Sequence, residues 1–225
     1  AKGIAAVLGC PLVGYDHVAA HLYACRLAHG ERMTWPCVGL VASGGHTTLF
    51  HVRSPLELDR LGGTIDDAAG EAFDKAAALL GLPYPGGPAM ERAAAGGDPA
   101  AHRFPRPLAR ERDRLDMSFS GLKTALRYRV RRAVVETIVA KVDLALERTG
   151  CRLLAVGGGV TANTALREAL ESLGRSRGVE VLVPPRDLCT DNAAMGAIAW
   201  ERLERGEEDG LALDVSPGTD RRPRG

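Results

Sequence analysis

Aromatic residues are scarce, at 4% of a 225-residue chain, so a core here must be filled by Ala, Leu and Val rather than by stacked rings. Excess charge of either sign is also lacking: the formal net charge is +1, so any nucleic-acid contact has to come from local clustering. Cysteines number five, none in a C-x-x-C pair. That excludes a zinc knuckle, and the odd count argues against a disulfide framework. Reduced thiols in a cytosol are the default expectation. No apolar run reaches membrane-spanning length, and no signal peptide is visible. Walker A and G-x-G-x-x-G spacings are missing, as is any internal repeat at a fixed period. What remains is the composition of an ordinary soluble globular protein, 45% hydrophobic and 25% charged, long enough for one large domain or two lobes.

The run Asp16-His17-Val18-Ala19-Ala20-His21 stands out. It has no Gly or Pro, and Asp16 is an acceptable N-cap. Two histidines four apart share one helix face, the geometry of a two-histidine metal clamp. The spacing equally admits a pair of hydrogen-bonded surface histidines. Val18 stands where H-E-x-x-H requires Glu, so a zinc protease would lack its base. Thr190-Asp191-Asn192 offers a third ligand at a helix start, where an N-cap role is the alternative. Two His and one Asp suit iron or zinc.

The pattern predicts a helix over residues 1–8, a short buried strand over 11–15, and a β-hairpin over 38–52 around Ser43-Gly44-Gly45-His46-Thr47. A turn is expected at Gly62-Gly63, then a helix over 66–80 stopped by Gly81 and Pro83, and a helix over 89–95. Further helix lies within 120–148, followed by a buried strand over 151–156 running into Gly157-Gly158-Gly159. A helix from Asn163 or Thr164 to Leu173, a strand over 179–183 and a last helix over 191–205 complete the list, before a polar tail. A hairpin followed by αβα units predicts an α/β domain with a mixed sheet. Glycines at the hairpin tip let backbone N–H groups approach a phosphate, with Ser43 and Thr47 as further donors, although a plain turn has the same pattern. The second glycine-rich turn ends a strand and opens a helix, where α/β folds bind ligands. Two such turns suggest a nucleotide held as in the actin, hexokinase and heat-shock ATPase (ASKHA) superfamily. Asp67, Glu71 and Asp74 follow i, i+4, i+7 spacing beside Asp66. They repel unless a cation, a ribose hydroxyl or Lys75 offsets them.

Five further motifs occur in order: Gly70-Glu71-Ala72-Phe73-Asp74-Lys75, Tyr84-Pro85-Gly86-Gly87-Pro88, Phe104-Pro105-Arg106-Pro107, Met117-Ser118-Phe119-Ser120-Gly121-Leu122-Lys123 and Cys189-Thr190-Asp191-Asn192-Ala193-Ala194-Met195. Together with the hairpin and the histidine pair, the set resembles the TsaD family from Ala1 to about Arg205. The resemblance implies an ASKHA-type α/β fold, mainly the second lobe plus the end of the first. Residues 1–36 would carry the metal-binding helix, 37–205 the second lobe and 206–225 a polar C-terminal tail. It implies one divalent metal, iron or zinc, on His17, His21 and Asp191. Threonylcarbamoyl-AMP or ATP would lie against Val41, Ala42, Ser43, Gly44 and Gly45, with Asp74, Gly87, Glu91 and Asn163 completing the pocket.

The implied reaction is acyltransfer from the mixed anhydride to N6 of adenosine 37, in tRNAs reading codons that begin with A. The implied partners are tRNA, a paralogous ASKHA subunit and a small P-loop ATPase of a bacterial threonylcarbamoylation complex. The implied place is the cytoplasm. Basic residues crowd the stretch 103–132, so Lys123, Arg127 and Arg131 are candidate tRNA contacts. Three departures from the family pattern stand out. The first-lobe strands have no counterpart, Ala19 stands where many members carry an acid, and Arg132 passes into Ala133-Val134-Val135 early, as if a loop were missing. Two other readings stand beside it: a related carbamoyltransferase domain acting on another acceptor, which shares the histidine pair and hairpin, and a non-catalytic ASKHA scaffold subunit that binds a paralogous partner.

Overall fold

Cys37–Ala42 forms β1, six consecutive buried residues, as expected of a strand covered on both faces. In this computed structural model, which describes residues 1–95, 108–120 and 130–214, β1 is the centre of a five-stranded mixed sheet. It pairs antiparallel with β2 (Thr47–Ser54), with Leu40 opposite Leu49, and parallel with β4 (Leu153–Gly157), with Leu40 opposite Val156. β3 (Glu57–Gly63) and β5 (Glu180–Leu182) form the edges, giving the order β3-β2-β1-β4-β5.

Helices cover both faces. On one lies α2 (His17–His29), which puts Val18, Leu22 and Cys25 against Val41, Val52, Ala155 and Leu182. Each such side chain contributes about 1.5–3 kcal/mol by leaving water. The other face carries α3 (Ala69–Leu79), α5 (Val130–Thr149) and α6 (Thr164–Arg177), packed around Phe73, Met117, Phe119, Ile138 and Leu166. The shorter helices are α1 (Lys2–Leu8), α4 (Gly86–Ala93), α7 (Arg186–Cys189) and α8 (Ile198–Glu204). No helix among the described residues is long and apolar enough to cross a membrane.

Several local expectations are corrected. Residues 11–15 form no strand. Leu12 makes one isolated bridge to Asp209 and is only half-buried, because the stretch has no neighbouring strand to pair with. Gly62-Gly63 is the end of β3 rather than a turn. A Cβ on Gly62 would fall 2.5 Å from the Leu115 carbonyl carbon, so the glycine admits a passing chain. Residues 115–117 run beside that strand end: the Ile65 amide donates to the Met117 carbonyl and the Met117 amide to the Gly63 carbonyl, both at 2.9 Å. Helix α3 starts at Ala69, leaving Asp66 and Asp67 in its lead-in. Asp191 likewise precedes the last helical stretch, which is a 3-10 turn over Ala193–Ala197 followed by α8.

The charged segment from 108 is tied down by a buried lysine. Lys141 of α5 donates to the carbonyls of Glu111 (2.7 Å) and Arg114 (2.8 Å), and burial pushes its ammonium below the ordinary lysine range.

Candidate metal and nucleotide site

Asp16 caps α2, its carboxylate accepting from the Ala19 amide at 2.9 Å. A cap of this kind is worth about 1 kcal/mol, and it places both histidines in the first turns. Their rings meet edge to face with centroids 4.8 Å apart. Asp191 joins them from the loop after α7: its Oδ1 lies 3.5 Å from His17 Nε2 and 3.2 Å from His21 Nε2. One ligand atom from each of the three residues lies within 4.8 Å of the others.

The donor set fits a divalent cation. Two imidazoles and a carboxylate converge on one point, and three protein ligands leave positions for substrate oxygen. The side chains of His17 and Asp191 stay solvent-accessible while His21 is buried. Burial, then the charge of His17, holds His21 below the ordinary imidazole range, partly opposed by Asp191. A neutral imidazole is the ligating form.

The sheet brings the glycine-rich turns to the same end. Gly157 closes β4, and a Cβ there would sit 2.3 Å from the His21 carbonyl oxygen. Only glycine allows α2 to approach so closely. Gly158 follows at φ 93, with its α-carbon face against the backbone of Ala42. The hairpin tip beyond Ala42 is closed by the Ser43 amide donating to the His46 carbonyl (2.7 Å) and the His46 amide donating to Ser43 Oγ (3.1 Å). The tip also caps α3. Ala69 donates to Thr47 Oγ1 at 2.8 Å and Gly70 to the Ser43 carbonyl at 3.2 Å. These bonds satisfy two of the amides that every helix start leaves unpaired. Thr47 is thus fully buried and committed to α3, which revises its expected role as a phosphate donor. Gly44, Gly45 and Gly87 face open space, with nothing within 4 Å of a Cβ on any of them.

The other residues expected to complete a pocket are linked by hydrogen bonds around α4 and the start of α6. Asp74 Oδ1 accepts from the Gly86 amide at 2.7 Å at the start of α4. Glu91 on α4 accepts from the Thr164 amide at 3.1 Å, and Asn163 caps α6 by accepting from Leu166. Val41 and Ala42, also expected in the pocket, are wholly buried in β1, which leaves only their backbone to meet a ligand there.

The predicted carboxylate cluster is divided among separate partners. Lys75 lies 2.6 Å from both Asp67 and Glu71. Asp66 accepts from Ser118 Oγ, the Phe119 amide, and the amide and Oγ of Ser120. Burial raises its carboxyl, but those four bonds outweigh burial and hold it below the usual range. Asp66 therefore anchors the Met117–Ser120 motif, a role its sequence position did not suggest. Lys123, Arg127, the Arg131 side chain and the motif at 104–107 lie outside the described residues.

The family model for TsaD, described as tRNA N6-adenosine threonylcarbamoyltransferase, matches residues 1–198. Curated relatives carry that same name. The one from Rhodopirellula baltica is 42% identical over 98% of this chain and 71% of the relative. Those from Ruegeria pomeroyi (46%) and Cereibacter sphaeroides (47%) each cover 96% of this chain and 66% of the relative. Among solved structures, component A of (R)-2-hydroxyglutaryl-CoA dehydratase from Acidaminococcus fermentans aligns with a TM-score of 0.50. It has 16% identity and covers 84% of this chain and 69% of that one. At that identity the likeness speaks to fold alone, and the fold is the ASKHA type that the two glycine turns suggested. The chain belongs to the TsaD family of tRNA N6-adenosine threonylcarbamoyltransferases.

Proposed function

We propose that this chain supplies the metal- and nucleotide-holding part of a site that transfers threonylcarbamoyl from threonylcarbamoyl-AMP to N6 of adenosine 37 in tRNA. The observation that carries the reading is the convergence of His17, His21 and Asp191 beside the open glycine tip Gly44-Gly45, joined through Gly157 and Gly158. The curated relatives' names and the family model support it. A divalent cation held by the three ligands, iron or zinc by the chemistry of the set, supplies Lewis acidity toward a phosphate or carbonyl oxygen.

The chain's own groups do the rest. Open amides at the hairpin tip receive phosphate. Glu91 and Asn163 border the α6 N-terminus, where the helix dipole favours an anion. Gly87 lets a ligand approach the backbone, and the second carboxylate oxygen of Asp74 is placed for a ribose hydroxyl. The acyl group arrives activated, so no serine nucleophile is required. The reading extends to tRNA, a paralogous ASKHA subunit and a small P-loop ATPase as partners, to a cytoplasmic setting, and to Lys123, Arg127 and Arg131 as phosphate contacts.

Nucleoside analysis of tRNA from cells depleted of the protein tests the function. Threonylcarbamoyladenosine should disappear and return with the wild-type gene; its persistence would refute the reading. The pocket has its own test. Because Gly45 has open space around it and no positive φ, Gly45→Val should fold normally yet lose most AMP binding in calorimetry on the full-length protein. Equal affinity would remove the hairpin from the site.

A further inference from the structure

Arg167 sits in the first turn of α6, the end of a helix where a cation is disfavoured by the dipole. Its half-buried guanidinium is spent on three segments at once. Nε donates to the Thr161 carbonyl at 2.6 Å; Nη2 donates to the Pro184 carbonyl at 2.9 Å and to Cys189 Sγ at 3.0 Å. Each contact leads to a part of the site. Thr161 is fully buried, and both its amide and its hydroxyl donate to the Gly158 carbonyl (3.0 and 2.6 Å), so it fixes the turn that lies on Ala42 at the base of the hairpin. Cys189, also fully buried, donates on to the Pro185 carbonyl at 3.3 Å and stands two residues before Asp191. Thr190 between them faces the same turn, its Cγ2 3.6 Å from where a Cβ on Gly159 would be.

We propose that Arg167 is a positioning residue that couples the metal-bearing loop at Asp191 to the nucleotide-side turn at Gly158. The inference rests on the nucleotide reading given above. A planar guanidinium holds its donors in a fixed fork. A shift of the Cys189–Asp191 loop on metal binding therefore moves Thr161, and through it the floor of the nucleotide pocket. Such coupling is reciprocal: metal must raise nucleotide affinity by the same factor as nucleotide raises metal affinity. A lysine keeps the charge but cannot span three acceptors in this geometry.

The test measures AMP affinity calorimetrically in the full-length protein, with and without Zn2+; AMP is chosen because it chelates the free ion only weakly. In the wild type, Zn2+ should raise AMP affinity by about tenfold, within the usual range of coupling factors. In Arg167→Lys the ratio should fall to about twofold or less, with Zn2+ affinity in the absence of AMP largely kept. Cys189→Ala, which removes only the arm toward Asp191, should lower the ratio too, and it serves if Arg167→Lys fails to fold. A residue important only for stability would lower the melting temperature and leave the ratio alone. An unchanged ratio in the folded variants overturns the inference, as does wild-type AMP binding that ignores Zn2+. If the wild type binds no AMP under either condition, the nucleotide reading falls and the coupling with it.

Discussion

Asp191→Ala should strip the metal from the full-length protein. Losing an outer-shell partner of a metal ligand already costs roughly 10–100-fold in affinity, so deleting one of three direct ligands should cost more than about 100-fold. Elemental analysis after dialysis should find the variant near empty and the wild type loaded, and tRNA modification should fail with it. Full occupancy in the variant would sink the assignment of His17, His21 and Asp191.

The sign of the pH response follows from His21. Its imidazole is held below the ordinary range mainly by burial, so it stays neutral and ligating at pH values where a free histidine is protonated. The unfolded chain takes up that proton first. Folding stability from this residue therefore rises with pH between the lowered value and about 6.5, and is lost as pH falls through that interval.

Gly157→Ala should be the most damaging single-methyl change near the site. The added carbon would stand 2.3 Å from the His21 carbonyl oxygen and 2.7 Å from the carbonyl carbon. Both belong to the backbone of a thirteen-residue helix, so no side chain can swing away. Overpacking of this kind costs about 1–3 kcal/mol, which in a chain of this size lowers the melting temperature by roughly 2–4 °C for each kcal/mol. The strain also pushes α2 off β4 and carries His21 away from Asp191, so metal affinity should drop with stability. Thermal unfolding in chelator separates the two effects. Gly44→Ala, which meets nothing within 4 Å, is the control and should stay within about 0.5 kcal/mol. A Gly157→Ala protein with wild-type melting and full metal would contradict the contact.

The candidate metal cluster was partly legible in the sequence because helix periodicity is local: His17 and His21 had to share a face once Asp16 capped a helix, while Asp191 came with the TsaD resemblance. The hairpin was legible for the same reason, with apolar runs around two glycines. What stayed hidden depends on distant pairing. Nothing near Asp66 in sequence announces Ser118 and Ser120, some fifty residues away. β3 reads Glu57-Leu58-Asp59-Arg60, too polar to advertise a strand, and it forms because Val52 and Phe50 of β2 offer it an edge. Thr47 looked like a ligand donor because its capping partner, the start of α3, lies twenty-two residues on. Arg167 carried one faint local signal, a cation at the wrong end of a helix, which only its three distant acceptors make intelligible.

The edges of the sheet bear on how the protein behaves when crowded. An open sheet ends in two strands with unpaired backbone groups, which can recruit a strand from another molecule. Here β5 is only three residues long. β3 shows exposed Glu57, Asp59 and Arg60, carries two register irregularities against β2, and is flanked at its end by residues 115–117. A short edge on one side and a charged, kinked, partly covered edge on the other give a second chain no long flat template to add to. Resistance to edge-to-edge aggregation is thus built into the two edge strands themselves.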